Sequence, residues 1–131
     1  MRKNVVFVCI ENSNRSQMAQ AFARMYGAGK VEAYSAGSRP SGKINPKAEA
    51  AMQELGYDLT THDSKGLDQL PDVTFEYAIT MGCGDECPFL KAVHREDWAI
   101  PDPRNMEPEE FNEVRDQIKE KVLQLLKGIE I

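Results

Sequence analysis

The stretch Val5-Val6-Phe7-Val8-Cys9-Ile10-Glu11-Asn12-Ser13-Asn14-Arg15-Ser16-Gln17-Met18 changes character halfway along. Val5 to Val8 is an unbroken apolar run, as in a strand covered on both faces. From Met18 onward the apolar positions Met18, Ala21, Phe22 and Met25 fall at helical spacing. What lies between is a strand-to-helix turn. Such a turn aims several backbone N–H groups at one spot, at the positive end of the helix dipole, and so makes an anion cradle. An arginine closing the turn adds a two-pronged, charge-assisted grip on an oxyanion. The same positive field favours the thiolate of a cysteine at the mouth, and the thiolate is the nucleophilic form. Cys9 is therefore read as a nucleophile and Ser16 as a hydrogen-bond donor to its sulfur. Ile10, Glu11, Asn12, Ser13, Asn14 and Arg15 form the oxyanion-binding loop.

Working outward, Val31 to Ser35 reads as a second strand, and Ala36 to Lys43 as a loop rich in Gly, Ser and Pro. Asn45 is a good N-cap followed by Pro46 at the first helical position, and Ala48, Ala51, Met52 and Leu55 form the apolar stripe of a second helix. Residues 60–71 are polar, a loop with a short helical turn. Phe75, Tyr77 and Ile79 alternate with their neighbours as a third strand, and Trp98-Ala99-Ile100 is the expected fourth. Pro108 opens a terminal helix whose stripe is Phe111, Val114, Ile118, Val122 and Leu125. Strands alternating with helices predict an α/β fold, a four-stranded parallel sheet with helices on both faces. Sites on such sheets lie at the carboxyl ends of the strands. Cys9, Cys83 and Asp102 follow strands one, three and four and are expected along one edge.

With 131 residues, 41% of them hydrophobic and 28% charged, the chain is expected to fold as one globular domain, residues 1–131, acting as a monomer. A formal charge of −5 argues against nucleic acid or an anionic membrane as partner, so affinity for an oxyanion has to be built locally. The first apolar run is too short for a signal-peptide core, and no stretch reaches membrane-spanning length. Three cysteines without an export signal point to the cytoplasm and to thiol chemistry rather than structural disulfides.

Cys83-Gly84-Asp85-Glu86-Cys87-Pro88 reads as a redox pair. Four residues apart on a helix, two Cα atoms lie about 6 Å from each other, within reach of a disulfide. A zinc site built from this pair with His62 and His94 matches known ligand spacings poorly, and no metal is expected. Asp102, in the rigid turn Pro101-Asp102-Pro103, is placed to protonate an oxygen leaving a centre held in the Cys9 loop.

Cys9-x5-Arg15-Ser16 after a first strand, two cysteines after the third and Asp102-Pro103 after the fourth resemble the arsenate reductases built on the low-molecular-weight tyrosine phosphatase fold, which has a flavodoxin-like topology. Asn12, Gln17-Met18-Ala19 and Ser35-Ala36-Gly37 extend the likeness over essentially the whole chain. The resemblance implies that arsenate sits on Arg15 and the loop amides and that Cys9 attacks arsenic with help from Asp102. Cys83 then attacks the Cys9 sulfur, releasing arsenite, and Cys87 moves the disulfide to Cys83–Cys87. The resemblance also implies thioredoxin as the external reductant, with no bound cofactor. Some relatives bind potassium beside the loop. Here Asn12 and Ser35 match, but Gln20 and Lys65 remove negative charge, and the Lys65 ammonium is expected in place of the ion. Glu11 stands where the phosphatases commonly have Gly and sits awkwardly beside an anion site unless it points outward.

Two other readings compete. A tyrosine phosphatase would use Cys9, Arg15 and Asp102 but has no need of Cys83 or Cys87, and Arg104-Asn105-Met106 lacks the aromatic pair that lines many phosphotyrosine pockets. A redox-sensing module would need only Cys83 and Cys87, not a nucleophile with a clamp and an acid. Glutaredoxin or a small thiol could replace thioredoxin as reductant.

Overall fold

The computed structural model describes residues 2–82 and 90–129. Cys83 and Cys87 lie outside the described residues. Four parallel strands, β1 (Lys3–Cys9), β2 (Val31–Gly37), β3 (Phe75–Thr80) and β4 (Ala92–Asp97), form one sheet in the order β2-β1-β3-β4. Among the described residues, three α-helices, α1 (Arg15–Gly27), α2 (Pro46–Gln53) and α3 (Pro108–Lys127), complete the frame. The expected sheet is present.

Side chains alternate across a strand, and β1 divides its residues between two cores accordingly. Val5, Phe7 and Cys9 face the larger core, with Met18 and Phe22 of α1, Met52 of α2, and Phe111, Ile118 and Val122 of α3. Val6 and Val8 face a smaller one with Phe75 and Ala78, roofed by Leu67, Leu70 and Val73. All three α-helices thus contribute to one side. Among the described residues, the helical cover on the other side is a single 3-10 turn, Leu67–Gln69. Phe7, Phe22 and Phe111 are at most 1% exposed, and each such ring contributes about 2–3 kcal/mol on burial.

The helices begin as their residues dictate. Asn45 accepts the Lys47 N–H with its side chain ahead of Pro46. In α3, Glu109 and Glu110 stand in the first turn and Lys127 in the last, complementing the dipole.

The fourth strand corrects the sequence reading. It runs from Ala92 to Asp97 rather than over Trp98 to Ile100, and it is the sheet's edge, with five of its six residues exposed. An edge strand facing water does not need the apolar pattern by which strands are recognised. Trp98 and Ile100 are buried at its carboxyl end, where the Trp98 N–H adds one more bond, to the Thr80 carbonyl at 2.8 Å.

Candidate active site

The loop from Cys9 to Arg15 is shaped from outside. The carbonyls of Cys9, Ile10 and Glu11 accept from the N–H groups of Ser38, Arg39 and Ser41, and the Ser13 carbonyl from that of Asn45. In a planar trans peptide the N–H points opposite to the C=O. Carbonyls turned outward at 9, 10, 11 and 13 therefore turn the N–H groups of Ile10, Glu11, Asn12 and Asn14 toward the concave side. Gly37 permits this approach, because a Cβ there would lie 2.5 Å from the Ile10 carbonyl oxygen and 2.9 Å from the Asn12 nitrogen. Asn12 takes a left-handed conformation, φ 52°, which Asn tolerates better than most residues.

A chain of side-chain hydrogen bonds fixes the nucleophile. Asn12 Oδ1 accepts the Lys65 main-chain N–H at 2.8 Å, so its Nδ2 faces Ser16 and donates to Oγ at 2.8 Å. The Ser16 hydroxyl proton is then free to point at Cys9 Sγ, 2.9 Å away. Lys65 thus enters the site through its main-chain N–H. Ser35 Oγ donates to Gln20 Oε1, and Gln20 Nε2 to the Ala33 carbonyl.

The chain continues inward. Gln17 Nε2 donates to the carbonyls of Asn12 and Asp63, which fixes the amide, so Gln17 Oε1 accepts from His62 Nδ1 at 2.8 Å. His62 Nε2 then presents a lone pair to the Tyr57 hydroxyl and to Arg24 Nη1. This network needs a neutral imidazole. The His62 pKa is pushed down to about 4, chiefly by burial and further by the charges of Arg24 and Lys65, with Asp63 opposing.

That shift has a consequence for stability. Unfolded, the ring takes its proton near pH 6.5, but folded only near pH 4. Between these values the unfolded chain binds more protons, so stability is full above the upper value and falls as pH drops through the window, by roughly 3 kcal/mol. Urea unfolding at pH 7 and pH 4.5 should show this loss, and the His62→Gln protein should show a flatter dependence. An equal slope in the two proteins would remove His62 from the account.

Arg15 is 7% exposed. Its Nη1 donates to the carbonyls of Met81 at 2.6 Å and Ile100 at 2.9 Å, tying the guanidinium to the segments that follow β3 and β4. Gly82, with φ 81°, leaves room for it. The cleft so formed, about 360 Å³, is lined by Cys9, Ile10, Glu11, Ser13, Asn14, Arg15, Arg39, Asp102 and Arg104. The expected nucleophile, clamp and acid therefore share one cleft. Asp102 Oδ1 accepts the Arg104 N–H at 3.0 Å in a local turn. The Glu11 carboxylate accepts from Arg104 Nη1 at 2.9 and 3.1 Å, so its charge is met by a cation from the loop after β4. Sequence reasoning gave no role to Arg39, to Arg104 as the partner of Glu11, or to His62 as the partner of Gln17. The residue that followed Asp102-Pro103 was in view, but nothing local linked it to Glu11.

A family model described as low molecular weight phosphotyrosine protein phosphatase matches residues 4–130. A glutaredoxin arsenate reductase of Synechocystis is 38% identical over 97% of this chain and 98% of its own length. A solved structure of an arsenate reductase in the phosphate binding state superposes with a TM-score of 0.89 at 37% identity, over 98% of this chain and 99% of that one. A thioredoxin-dependent arsenate reductase of Corynebacterium glutamicum gives a TM-score of 0.78 at 30% identity, over 97% of this chain and 61% of that one.

Proposed function

Since the chain belongs to the low molecular weight phosphotyrosine protein phosphatase family, we propose that its cleft binds arsenate and reduces it to arsenite. The observation that supports this most is the convergence of Cys9, Arg15 and Asp102 on one cleft floored by inward N–H groups, in a chain whose relatives are named arsenate reductases. The tetrahedral oxyanion rests on the loop amides and Arg15. Cys9 thiolate attacks arsenic, an S–As bond forms, and an oxygen protonated by Asp102 leaves as water. Cys83 thiolate attacks Cys9 Sγ. The S–As bond breaks, its electron pair stays on arsenic, and As(V) leaves as arsenite while two thiols become a Cys9–Cys83 disulfide. Cys87 attacks Cys83 and frees Cys9 as thiolate.

The remaining Cys83–Cys87 disulfide calls for an external dithiol, and thioredoxin supplies one. The reducing cytoplasm, where persistent disulfides are rare, suits such a cycle. Glutaredoxin is the second reading, favoured by the name of the Synechocystis relative. Arsenite release is measured with arsenate and the thioredoxin system, then with glutaredoxin and glutathione. Continuous release with thioredoxin is expected. Release with glutaredoxin alone would transfer the role to it, and release with neither would overturn the reductase reading.

A further inference from the structure

The cleft has a buried floor and an exposed rim. Cys9 and Arg15 are 3% and 7% exposed, whereas the side chains of Glu11, Asp102 and Arg104 are 35%, 43% and 54% exposed. Across that rim, Arg104 joins the loop after β1 to the loop after β4 through Glu11. Both ends of the bridge are fixed in their backbones. The Glu11 carbonyl accepts from Ser41 N–H and Ser64 Oγ. The carbonyls of Arg104 and Met106 accept from Lys47 Nζ at 3.1 and 3.0 Å.

The direction of attack gives the bridge a meaning. Displacement at a tetrahedral oxyanion is in line, so the leaving oxygen departs on the side away from Cys9 Sγ. The acid proposed for that oxygen is Asp102, which lines the cleft together with Cys9, and Arg104 Nη2 stands 3.9 Å from Asp102 Oδ2. For a free oxyanion the leaving oxygen carries nothing and stays beneath the rim. For an ester it carries an organic group, which has to pass outward where Arg104 spans to Glu11.

We propose that the Arg104–Glu11 bridge is a specificity element that disfavours esters relative to free tetrahedral oxyanions. This deepens the oxyanion reading of the cleft and rests on it. Being partly exposed, the bridge can open, and an exposed ion pair is worth at most about fivefold in an equilibrium constant. The expected discrimination is of that size.

Inorganic phosphate and phenylphosphonate serve as probes, the second carrying a ring where an ester carries its substituent. Dissociation constants for both are measured by calorimetry on the wild-type, Glu11→Gln and Arg104→Ala proteins. Removing Arg104 leaves Glu11 unopposed and weakens both dianions, while removing the Glu11 charge strengthens both. That shared electrostatic effect cancels in the ratio of the two constants. The ratio should move toward phenylphosphonate by about fivefold in both variants. An unchanged ratio with shifted absolute constants would reduce the bridge to a counter-charge and overturn the proposal. Failure of the wild-type protein to bind either probe would instead overturn the oxyanion reading, and the bridge proposal with it.

Discussion

Cys9→Ser is expected to abolish arsenate reduction while leaving the fold in place. The side chain is 3% exposed and packs in the larger core, and a hydroxyl in place of the thiol changes its volume little. Ser16 Oγ, 2.9 Å from the sulfur, can still donate to an oxygen there. What is lost is the nucleophile, because an alcohol is barely ionised near neutral pH and is a far weaker nucleophile than a thiolate. A fall in the rate of arsenite release of at least about a thousandfold is expected. Inorganic phosphate affinity and the unfolding midpoint, measured on the same protein, should stay close to wild type, since the amides and Arg15 remain. Residual reduction near the wild-type rate would remove Cys9 from its role. Loss of phosphate binding as well would show that the sulfur holds the loop together rather than reacting.

The part of this site that the sequence makes legible is the part that is local. From Val5 to Met25 the apolar run, the turn and the helical spacing are contiguous, and the structure places β1, the loop and α1 where that pattern predicts. Asn45-Pro46 announces α2 because capping depends on neighbours in the chain. The alternating stripe of α3 is equally plain. The fourth strand fails for a physical reason. Edge residues from Val93 to Asp97 are exposed, so their types carry no signature of burial, while Trp98 and Ile100 carry one without belonging to the strand.

Interactions between distant loops are illegible for a different reason. The Lys65 N–H on Asn12 and the His62 ring on Gln17 span 53 and 45 residues, and the Arg104 bridge to Glu11 spans 93. A backbone donor leaves no trace in side-chain identity at all. Glu11 looked awkward beside an anion because its counter-charge lies on another loop. Electrostatic compatibility of an oxyanion site is a property of the assembled fold, and a loop sequence alone reports only half of it.

The proposed relay predicts unequal failures for the two later cysteines. With the order Cys9, Cys83, Cys87, Cys83→Ser should halt at the Cys9 adduct and release no arsenite when other thiols are absent. Cys87→Ser should complete one reduction, release one equivalent of arsenite and trap a Cys9–Cys83 disulfide. The asymmetry follows from thiol chemistry, because a thiolate can attack only a sulfur that the preceding step has made electrophilic. Arsenic gains its electron pair when Cys83 attacks Cys9, so reduction is finished before Cys87 acts. Cys87 serves only to free Cys9 and move the disulfide to where an external dithiol takes it. Without it, the rate of continuous turnover should fall by at least about a hundredfold, while the single-turnover burst persists at full amplitude. Peptide mapping after one turnover identifies the trapped bond. A Cys9–Cys87 disulfide in the wild-type protein would reverse the order of the two residues. Sustained turnover by Cys87→Ser with thioredoxin would show that two cysteines suffice, with the outside thiol attacking the Cys9–Cys83 bond directly.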